Sequence, residues 1–320
     1  MKLLEVKNLK TYFYLDGKEY PAADDISFEL DEGQTIGIIG ESGSGKSVTA
    51  LSIMGLIDSP GRVIGGEVYY KGEDLFKKSE RQMRKIRGNE IAMIYQDIMS
   101  ILNPMNTVGK QIAEALIIHK RVNKKDSKKI VIELMKAVGI TDGEERFNQF
   151  PDQFSGGMRQ RLMIAMAIAC NPKILIADEP TTALDVTIQA EILELLRNLK
   201  NEYKMSIILN THNLGVVAEM ADKVLVMYCG KVMEIATSKD IFENPINPYT
   251  KQLMECIPRI DDRKRRLDTI EGYVPHLSEL SMGCRFSNRC NKAFEKCGNE
   301  LPELIEIYKG HWSRCWLHKK

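Results

Sequence analysis

The sequence predicts an α/β fold in which a parallel sheet is covered by helices on both faces. Three observations predict it. Short apolar runs suited to buried strands recur at Ile36-Gly37-Ile38-Ile39, Ile174-Leu175-Ile176-Ala177 and Ser206-Ile207-Ile208-Leu209. Helical stretches alternate with them, as βαβ units require. The first run leads directly into Gly40-Glu41-Ser42-Gly43-Ser44-Gly45-Lys46-Ser47, after which Val48-Thr49-Ala50-Leu51-Ser52-Ile53-Met54 can open a helix.

In chain order, residues 5–14 and 25–30 read as strands, the second alternating Ile26, Phe28 and Leu30 on one face. Gly66-Glu67-Val68-Tyr69-Tyr70 is a third, and together they suit an antiparallel flap. Ile91-Ala92-Met93-Ile94-Tyr95 is a buried-type strand ending at Gln96. A mostly helical stretch follows to about Cys170, in which Ile130, Leu134 and Val138 mark an amphipathic helix. A further helix is expected over 186–203, a last strand over 224–228, and a turn at Gly230. From about Ser238 the character changes: Asn244-Pro245-Ile246-Asn247-Pro248 breaks the chain, and residues 261–266 form a charged run that reads as a solvated linker or helix face.

Composition narrows the function. The 320 residues suffice for two domains, or for one large domain with an appendage. With 45 Lys and Arg against 44 Asp and Glu, no global field draws nucleic acid or anionic lipid, so a membrane role must work through docking. The longest apolar stretch, residues 162–170, is nine residues, far below the roughly 20 that span a bilayer. The first residues carry no sustained apolar region, so a cytoplasmic location is expected.

Gly40 to Ser47 fits Gly-x-x-x-x-Gly-Lys-Ser, a loop whose backbone N–H groups and following helix N-terminus converge on nucleotide phosphates. Lys46 adds a point charge for the β and γ phosphates, and Ser47 offers a hydroxyl to Mg²⁺. The competing reading is a Gly/Ser turn without a ligand. Asp178 and Glu179 end an apolar strand, at the sheet edge where α/β proteins bind ligands. There an aspartate can hold Mg²⁺ through water, and a glutamate can orient the attacking water. A lone Asp-Glu pair would more often cap a helix; beside a phosphate loop it reads as catalytic. Phe154-Ser155-Gly156-Gly157-Met158-Arg159-Gln160-Arg161 is a second anion-binding arrangement, a serine and two glycines opening a helix.

With these motifs in order, the chain resembles the ATP-binding subunits of ABC transporters. The resemblance covers residues 5–235 and implies a P-loop NTPase fold: a RecA-like parallel core, an antiparallel β flap and a helical subdomain at about 97–170. It assigns the nucleotide-binding domain to residues 1–240 and an extension to 241–320. By the same resemblance Gln96 is the Q-loop glutamine, a ligand to Mg²⁺ with Ser47 and Asp178. Glu179 acts on water and His212 on the γ-phosphate. Ala183-Leu184-Asp185 is the D-loop, and Phe13 is the adenine-stacking aromatic, although packing is the default reading of a strand aromatic. The nucleotide contacts are Gly40, Ser42, Gly43, Ser44, Gly45, Lys46, Ser47 and Val48 on one side, and Ser155, Gly156, Gly157 and Asp185 on the other. ATP is then clamped between the phosphate loop of one subunit and the signature of a second, head to tail. Three positions depart from the family: Asn213 for aspartate after the histidine, Phe154 for leucine, and Ile98 where proline often follows the Q-loop. None removes a phosphate or metal ligand.

The run from Ile94 through Asn103-Pro104 to Gly109 resembles the dipeptide, oligopeptide and nickel importer branch. So do Asn247-Pro248-Tyr249-Thr250-Lys251-Gln252-Leu253, Ile257-Pro258 and Glu271-Gly272-Tyr273-Val274-Pro275. That branch implies a motor docked on two transmembrane permease subunits, through a groove near residues 96–115, with an extracellular solute-binding protein acting indirectly. The subunit would sit peripherally on the cytoplasmic face of the membrane, and no nucleic acid partner is expected. The rival from another class is a soluble ABC ATPase acting on DNA or ribosomes, which would normally carry two cassettes, a coiled-coil insertion or a basic surface. A second is an ATPase gated by a cysteine module.

Four of the seven cysteines, Cys284, Cys290, Cys297 and Cys315, fall in the last 37 residues, with Phe286, Phe294, Trp312 and Trp316 close by. In a reducing compartment such a set argues for metal rather than disulfides. The gaps of 5, 6 and 17 residues exceed the Cys-x₂₋₄-Cys pairs of structural zinc and suit a [4Fe–4S] cluster better. Zinc, unliganded thiols and a disulfide stay open, as do His311 and His318 as substitute ligands. The resemblance to the peptide-importer branch supports the cluster, and its expected role is structural.

Overall fold

The computed structural model describes residues 2–97, 101–120, 122–182, 184–256 and 269–318. Ile98, Ala183, Ile257, Pro258 and the charged run 261–266 lie outside the described residues. The chain divides into two compact units. One comprises Asp31–Gln34 and Lys77–Leu209; the other comprises Lys2–Leu30, Thr35–Phe76 and Asn210–Lys320, so the extension shares a unit with the phosphate loop. The strands, in chain order, are β1 (Lys2–Leu15), β2 (Lys18–Asp31), β3 (Thr35–Ile39), β4 (Gly61–Tyr70), β5 (Glu73–Asp74), β6 (Ile91–Ile94), β7 (Ile174–Asp178), β8 (Ser206–Asn210), β9 (Lys223–Tyr228), β10 (Lys231–Thr237), β11 (Ile305–Tyr308) and β12 (His311–Ser313).

In the unit containing Lys77–Leu209, β8, β7 and β6 lie side by side in that order, and β6 runs parallel to β7 with Ile91 opposite Ile174. Every residue of β6, β7 and β8 is buried, as expected of strands covered on both faces. The helical stretch resolves into Val108–Lys120, Lys124–Ala137, Gly143–Arg146 and Gly156–Ile168. On Lys124–Ala137 the buried stripe is Val131, Leu134 and Met135, continued by Val138, with Ile130 half-buried at its edge. The stripe follows the i, i+4 spacing of a helix that packs by one face. Gly109 is required by packing, since a Cβ there would meet the Phe147 ring at 2.3 Å. The helix expected over 186–203 is Val186–Tyr203.

The other unit holds an antiparallel flap in the order β2-β1-β4-β5. Phe13 of β1 stands opposite Gly61 of β4, where a Cβ would come within 2.8 Å of the ring, so glycine makes room for the aromatic. A further set of strands runs in the order β11-β12-β10-β9-β3. β3 is parallel to β9, with Ile38 opposite Leu225, and the remaining pairs are antiparallel. β11 and β12 come from the extension and were not foreseen, because strands of four and three residues are too short to display an alternating pattern.

The extension also contributes to the core of this unit. Tyr249 and Phe286 are buried in one cluster with Ile39, Val226, Tyr228 and Met233. Their rings form a triangle with Tyr228, with centroid separations of 4.8, 5.0 and 5.2 Å. Each fully buried aromatic contributes about 1.5–3 kcal/mol, and each tilted pair adds about 0.5–1.5 kcal/mol. Glu234, wholly buried on β10, accepts from the backbone N–H groups of Ile246 and Asn247 and pairs with His311 at 2.6 Å. Asn247 caps the helix Pro248–Glu255, whose first residue is proline, and donates its amide to the Met233 carbonyl. The Asn247-Pro248-Tyr249 segment is therefore a buried, hydrogen-bonded helix start that places Tyr249 in the core.

Candidate functional site

The phosphate loop is built from backbone. Gly40 (φ 152°), Gly43 (φ 76°) and Gly45 (φ 102°) take conformations that side chains disfavour. At two of them space forbids a side chain as well. A Cβ at Gly40 would lie 2.1 Å from the Met227 carbonyl, and one at Gly45 would lie 2.3 Å from the Ala22 carbonyl. Gly45 precedes the helix Lys46–Met54 in a left-handed conformation, and no side chain caps that helix. Ser47 and Val48 lie on its first turn, Ser44 is buried, and Ser42 and Gly43 are exposed. Lys46, 5% exposed, folds along the loop and donates to the carbonyls of Gly40 (2.8 Å) and Glu41 (3.2 Å). An ammonium already bound to loop carbonyls is prepared to exchange them for phosphate oxygens.

Glu41 was not singled out from sequence, yet three groups hold it. Arg289 grips its carboxylate at both oxygens (2.7 and 3.1 Å), the Tyr249 hydroxyl accepts from its N–H (3.2 Å), and Lys46 takes its carbonyl. A second cluster centres on the flap strand β2, where Asp24 accepts from Arg285 (2.7 Å), Lys231 (2.9 Å) and Tyr12 (3.1 Å). Burial and the Asp24 charge push the Tyr12 hydroxyl up to about 12. In the same unit, His212 is exposed just beyond β8. Asn213, the departure from aspartate, caps the helix Leu214–Met220 by accepting from Gly215 and Val216. Asparagine and aspartate cap almost equally well, which explains why the substitution is tolerated.

In the other unit, β7 ends with Asp178 buried and Glu179 at φ 47°, a left-handed position costly for glutamate. The Glu179 carboxylate accepts from Gln96 (3.1 Å) and from the Thr182 hydroxyl (2.8 Å). The structure therefore joins Gln96 and Glu179, two residues 83 positions apart that were assigned separately. Ser155 caps the helix Gly156–Ile168, its hydroxyl accepting from the Met158 N–H at 3.3 Å. Gly156 is exposed, and a Cβ on Gly157 would come within 2.9 Å of Ile188. Gln160, 1% exposed, donates to the Pro180 carbonyl at 2.7 Å and ties the signature helix to the segment after Glu179. Asp185 caps the helix Val186–Tyr203 and is exposed. Phe154 is 3% exposed, so its position asks for an apolar side chain.

The four C-terminal cysteines line one pocket, together with Phe286, Ser287 and Trp316. All are free thiols. Burial pushes Cys284 up to about 11, with the other three thiols adding to the shift. The thiols share a pocket but not a formed metal geometry: among the described residues no three His, Cys, Asp or Glu side chains are arranged to hold a metal ion. His311 faces Glu234 and His318 faces the Ile246 carbonyl; neither lines the pocket, so neither substitutes for a cysteine there. The Ser287 hydroxyl, on the same pocket, is buried without a hydrogen-bond partner.

A phosphate loop, a carboxylate-ended strand and a serine-capped signature helix define an ATP-binding cassette, an ATPase of the P-loop class. The comparisons agree. The ABC transporter family description matches residues 23–182, and the description "Oligopeptide/dipeptide transporter, C-terminal region" matches residues 233–297. The chain is 49% identical to the oligopeptide transport ATP-binding protein AppD of Bacillus subtilis (strain 168) over 319 residues, 99% of this chain and 97% of that one. It is also 49% identical to the dipeptide transport ATP-binding protein DppD of the same organism, over 99% and 95% of the two chains. Among solved structures it resembles the dimeric ATP-binding cassette MJ0796 in a post-hydrolysis state bound to ADP and Pi. That likeness has a TM-score of 0.66 at 27% identity and covers 73% of this chain and 98% of that one. The chain belongs to the family of ABC transporter ATP-binding subunits, in the oligopeptide/dipeptide branch, and is an ATPase.

Proposed function

We propose that this subunit hydrolyses ATP to drive import of dipeptides or oligopeptides, as one of two ATPase subunits docked on two permease subunits at the cytoplasmic face of the membrane. The observation that carries the proposal is the presence in one chain of both a phosphate loop and a signature helix, joined to an extension that matches the peptide-transporter C-terminal region. The names of AppD and DppD support the peptide substrate. No helix among the described residues is long and apolar enough to cross a membrane, which is consistent with a motor that works on separate permeases. Asn103 is held to Gln111 on both its N–H and carbonyl, and the same loop presents Met105 at 82% exposure, within the segment 96–115 expected to meet a permease.

In this reading Phe13 stacks on adenine, and Gly40, Ser42, Gly43, Ser44, Gly45 and Val48 line the phosphates with Lys46 supplying charge. Ser47, Gln96 and Asp178 serve Mg²⁺, whose chemistry is to neutralise the phosphate charge; their oxygen donors suit so hard a cation. Glu179 orients the attacking water, held ready by Gln96 and Thr182, and His212 steadies the γ-phosphate. Ser155, Gly156, Gly157 and Asp185 serve the nucleotide of the partner subunit, either a second copy or a related chain. Glu179→Gln is expected to keep ATP binding while turnover falls by about 10²-fold or more, the usual worth of a positioned proton acceptor, and to accumulate the closed pair on a sizing column. Rapid turnover by that variant would sink the assignment.

The four thiols belong to the same proposal as ligands of a [4Fe–4S] cluster, or failing that of Zn²⁺. Support comes from their gathering on one pocket beside the unpartnered Ser287 hydroxyl. The group would supply a covalent staple to the extension. Anaerobic purification is expected to give a brown protein with about four irons per chain, the content of such a cluster. A colourless protein with one zinc would replace the cluster by zinc, and a metal-free, fully folded one would remove both.

A further inference from the structure

Arg289 is an extension residue that acts on the phosphate loop. Its side chain is 5% exposed, and all five of its N–H donors are used. Nε donates to the Glu271 carbonyl (3.0 Å). One terminal nitrogen donates to Glu41 (2.7 Å) and to the Tyr228 hydroxyl (3.2 Å), and the other donates to Glu41 (3.1 Å) and to the Ile270 carbonyl (3.2 Å). Such a fork on a carboxylate is the strongest and most directional ion pair available to a protein. The pair spans 248 positions of sequence and ends on the first variable residue of the loop. Arg289 closes the short turn Ser287–Arg289, between two of the cysteines that line the thiol pocket, so the fold of the extension places it.

The charge at Glu41 gives this contact a consequence. Glu41 follows Gly40 directly, and the carbonyls of both residues receive the Lys46 ammonium. An uncompensated carboxylate at this point would repel a polyphosphate and draw Lys46 away from it. A paired one does neither, and it holds the first half of the loop by its side chain while Tyr249 holds it by its N–H. We infer that Arg289 is a positioning residue for the ATPase reaction: it fixes and neutralises Glu41, so the C-terminal extension sets the affinity of the phosphate loop for ATP. This rests on reading Gly40 to Ser47 as the nucleotide loop.

The test measures binding of a fluorescent ATP analogue to the full chain, with ATPase rates alongside. Arg289→Gln is expected to raise Kd by about tenfold, the scale of one lost charge-assisted interaction. Arg289→Lys, which keeps the charge but not the fork, is expected to raise it less. Glu41→Gln alone is expected to leave Kd at or below the wild-type value, and Arg289→Gln combined with Glu41→Gln to bring it back towards wild type. Unchanged affinity in Arg289→Gln would overturn the inference. So would equal weakening by Arg289→Gln and Glu41→Gln without recovery in the double variant, which is the signature of a latch that only holds the fold. Should Arg289→Gln not fold, Glu41→Gln and Arg289→Lys decide the matter by the sign of their shifts. Lys46→Ala is the separate control: undiminished binding there would strike the reading of the loop itself and leave Arg289 aside.

Discussion

Two serine and glycine segments open helices in this protein, and they treat the helix N-terminus in opposite ways. In the phosphate loop the residue before the helix is Gly45, left-handed, with no side chain over the first N–H groups. In the signature segment it is Ser155, extended, with its own hydroxyl on the Met158 N–H. The loop draws its shape from what surrounds it: the Met227 and Ala22 carbonyls pressed against Gly40 and Gly45, and Glu41 gripped by Arg289. The signature caps itself, with Gly157 letting Ile188 approach and Gln160 tying its helix to the Pro180 carbonyl. Both present a helix N-terminus, which favours negative charge. One is shaped in advance; the other caps itself through its serine oxygen, which leaves the hydroxyl proton for an anion in the proposed reading.

The difference can be broken most severely at Gly45. Alanine there would combine a positive φ, worth about 1–3 kcal/mol of strain, with a Cβ 2.3 Å from a backbone carbonyl that has no flexible end to move. Gly45→Ala is expected to abolish binding of the ATP analogue and to lower the thermal midpoint measurably. Gly43→Ala supplies the contrast, since φ is 76° but nothing lies within 4 Å of the new Cβ. Only the left-handed penalty of about 1–2 kcal/mol applies there, and binding is expected to persist. Equal behaviour of the two variants would mean that the surrounding carbonyls do not shape the loop.

The same contrast explains what could be read from the sequence. The strands β3, β7 and β8 were legible because buried parallel strands are short unbroken apolar runs, and Val186–Tyr203 was legible to the residue because Asp185 caps it and its apolar stripe is regular. The segments 40–47 and 155–157 were legible as helix-opening turns because glycine and serine stand in them at fixed spacing just before each helix. The Arg289–Glu41 and Arg285–Asp24 pairs were not, being separated by 248 and 261 positions. A single arginine among 45 basic residues carries no local mark of the partner it will find. The strands β11 and β12 were missed for a related reason: they exist because β10 offers an edge, and their own residues show too little alternation to announce it. The bond between Gln96 and Glu179 falls in between, since both residues were picked out but their meeting is a property of the fold.

The finer edge of the comparison is Ser155, whose oxygen accepts from the Met158 N–H and whose proton, in the proposed reading, goes to a phosphate. Replacing it by alanine would remove the cap and the proposed phosphate contact together, at about 0.5–2 kcal/mol for the cap alone, and would confuse them. Ser155→Gly separates them, because glycine serves as a cap at a cost of only a few tenths of a kcal/mol. The variant is therefore expected to unfold in urea at nearly the wild-type midpoint, while ATPase activity of the assembled pair falls by about 10²-fold or more, the scale for one donor lost from an anion site. Stability that drops while turnover holds would show that the hydroxyl serves the helix alone, and the two segments would then differ in function as well as in construction.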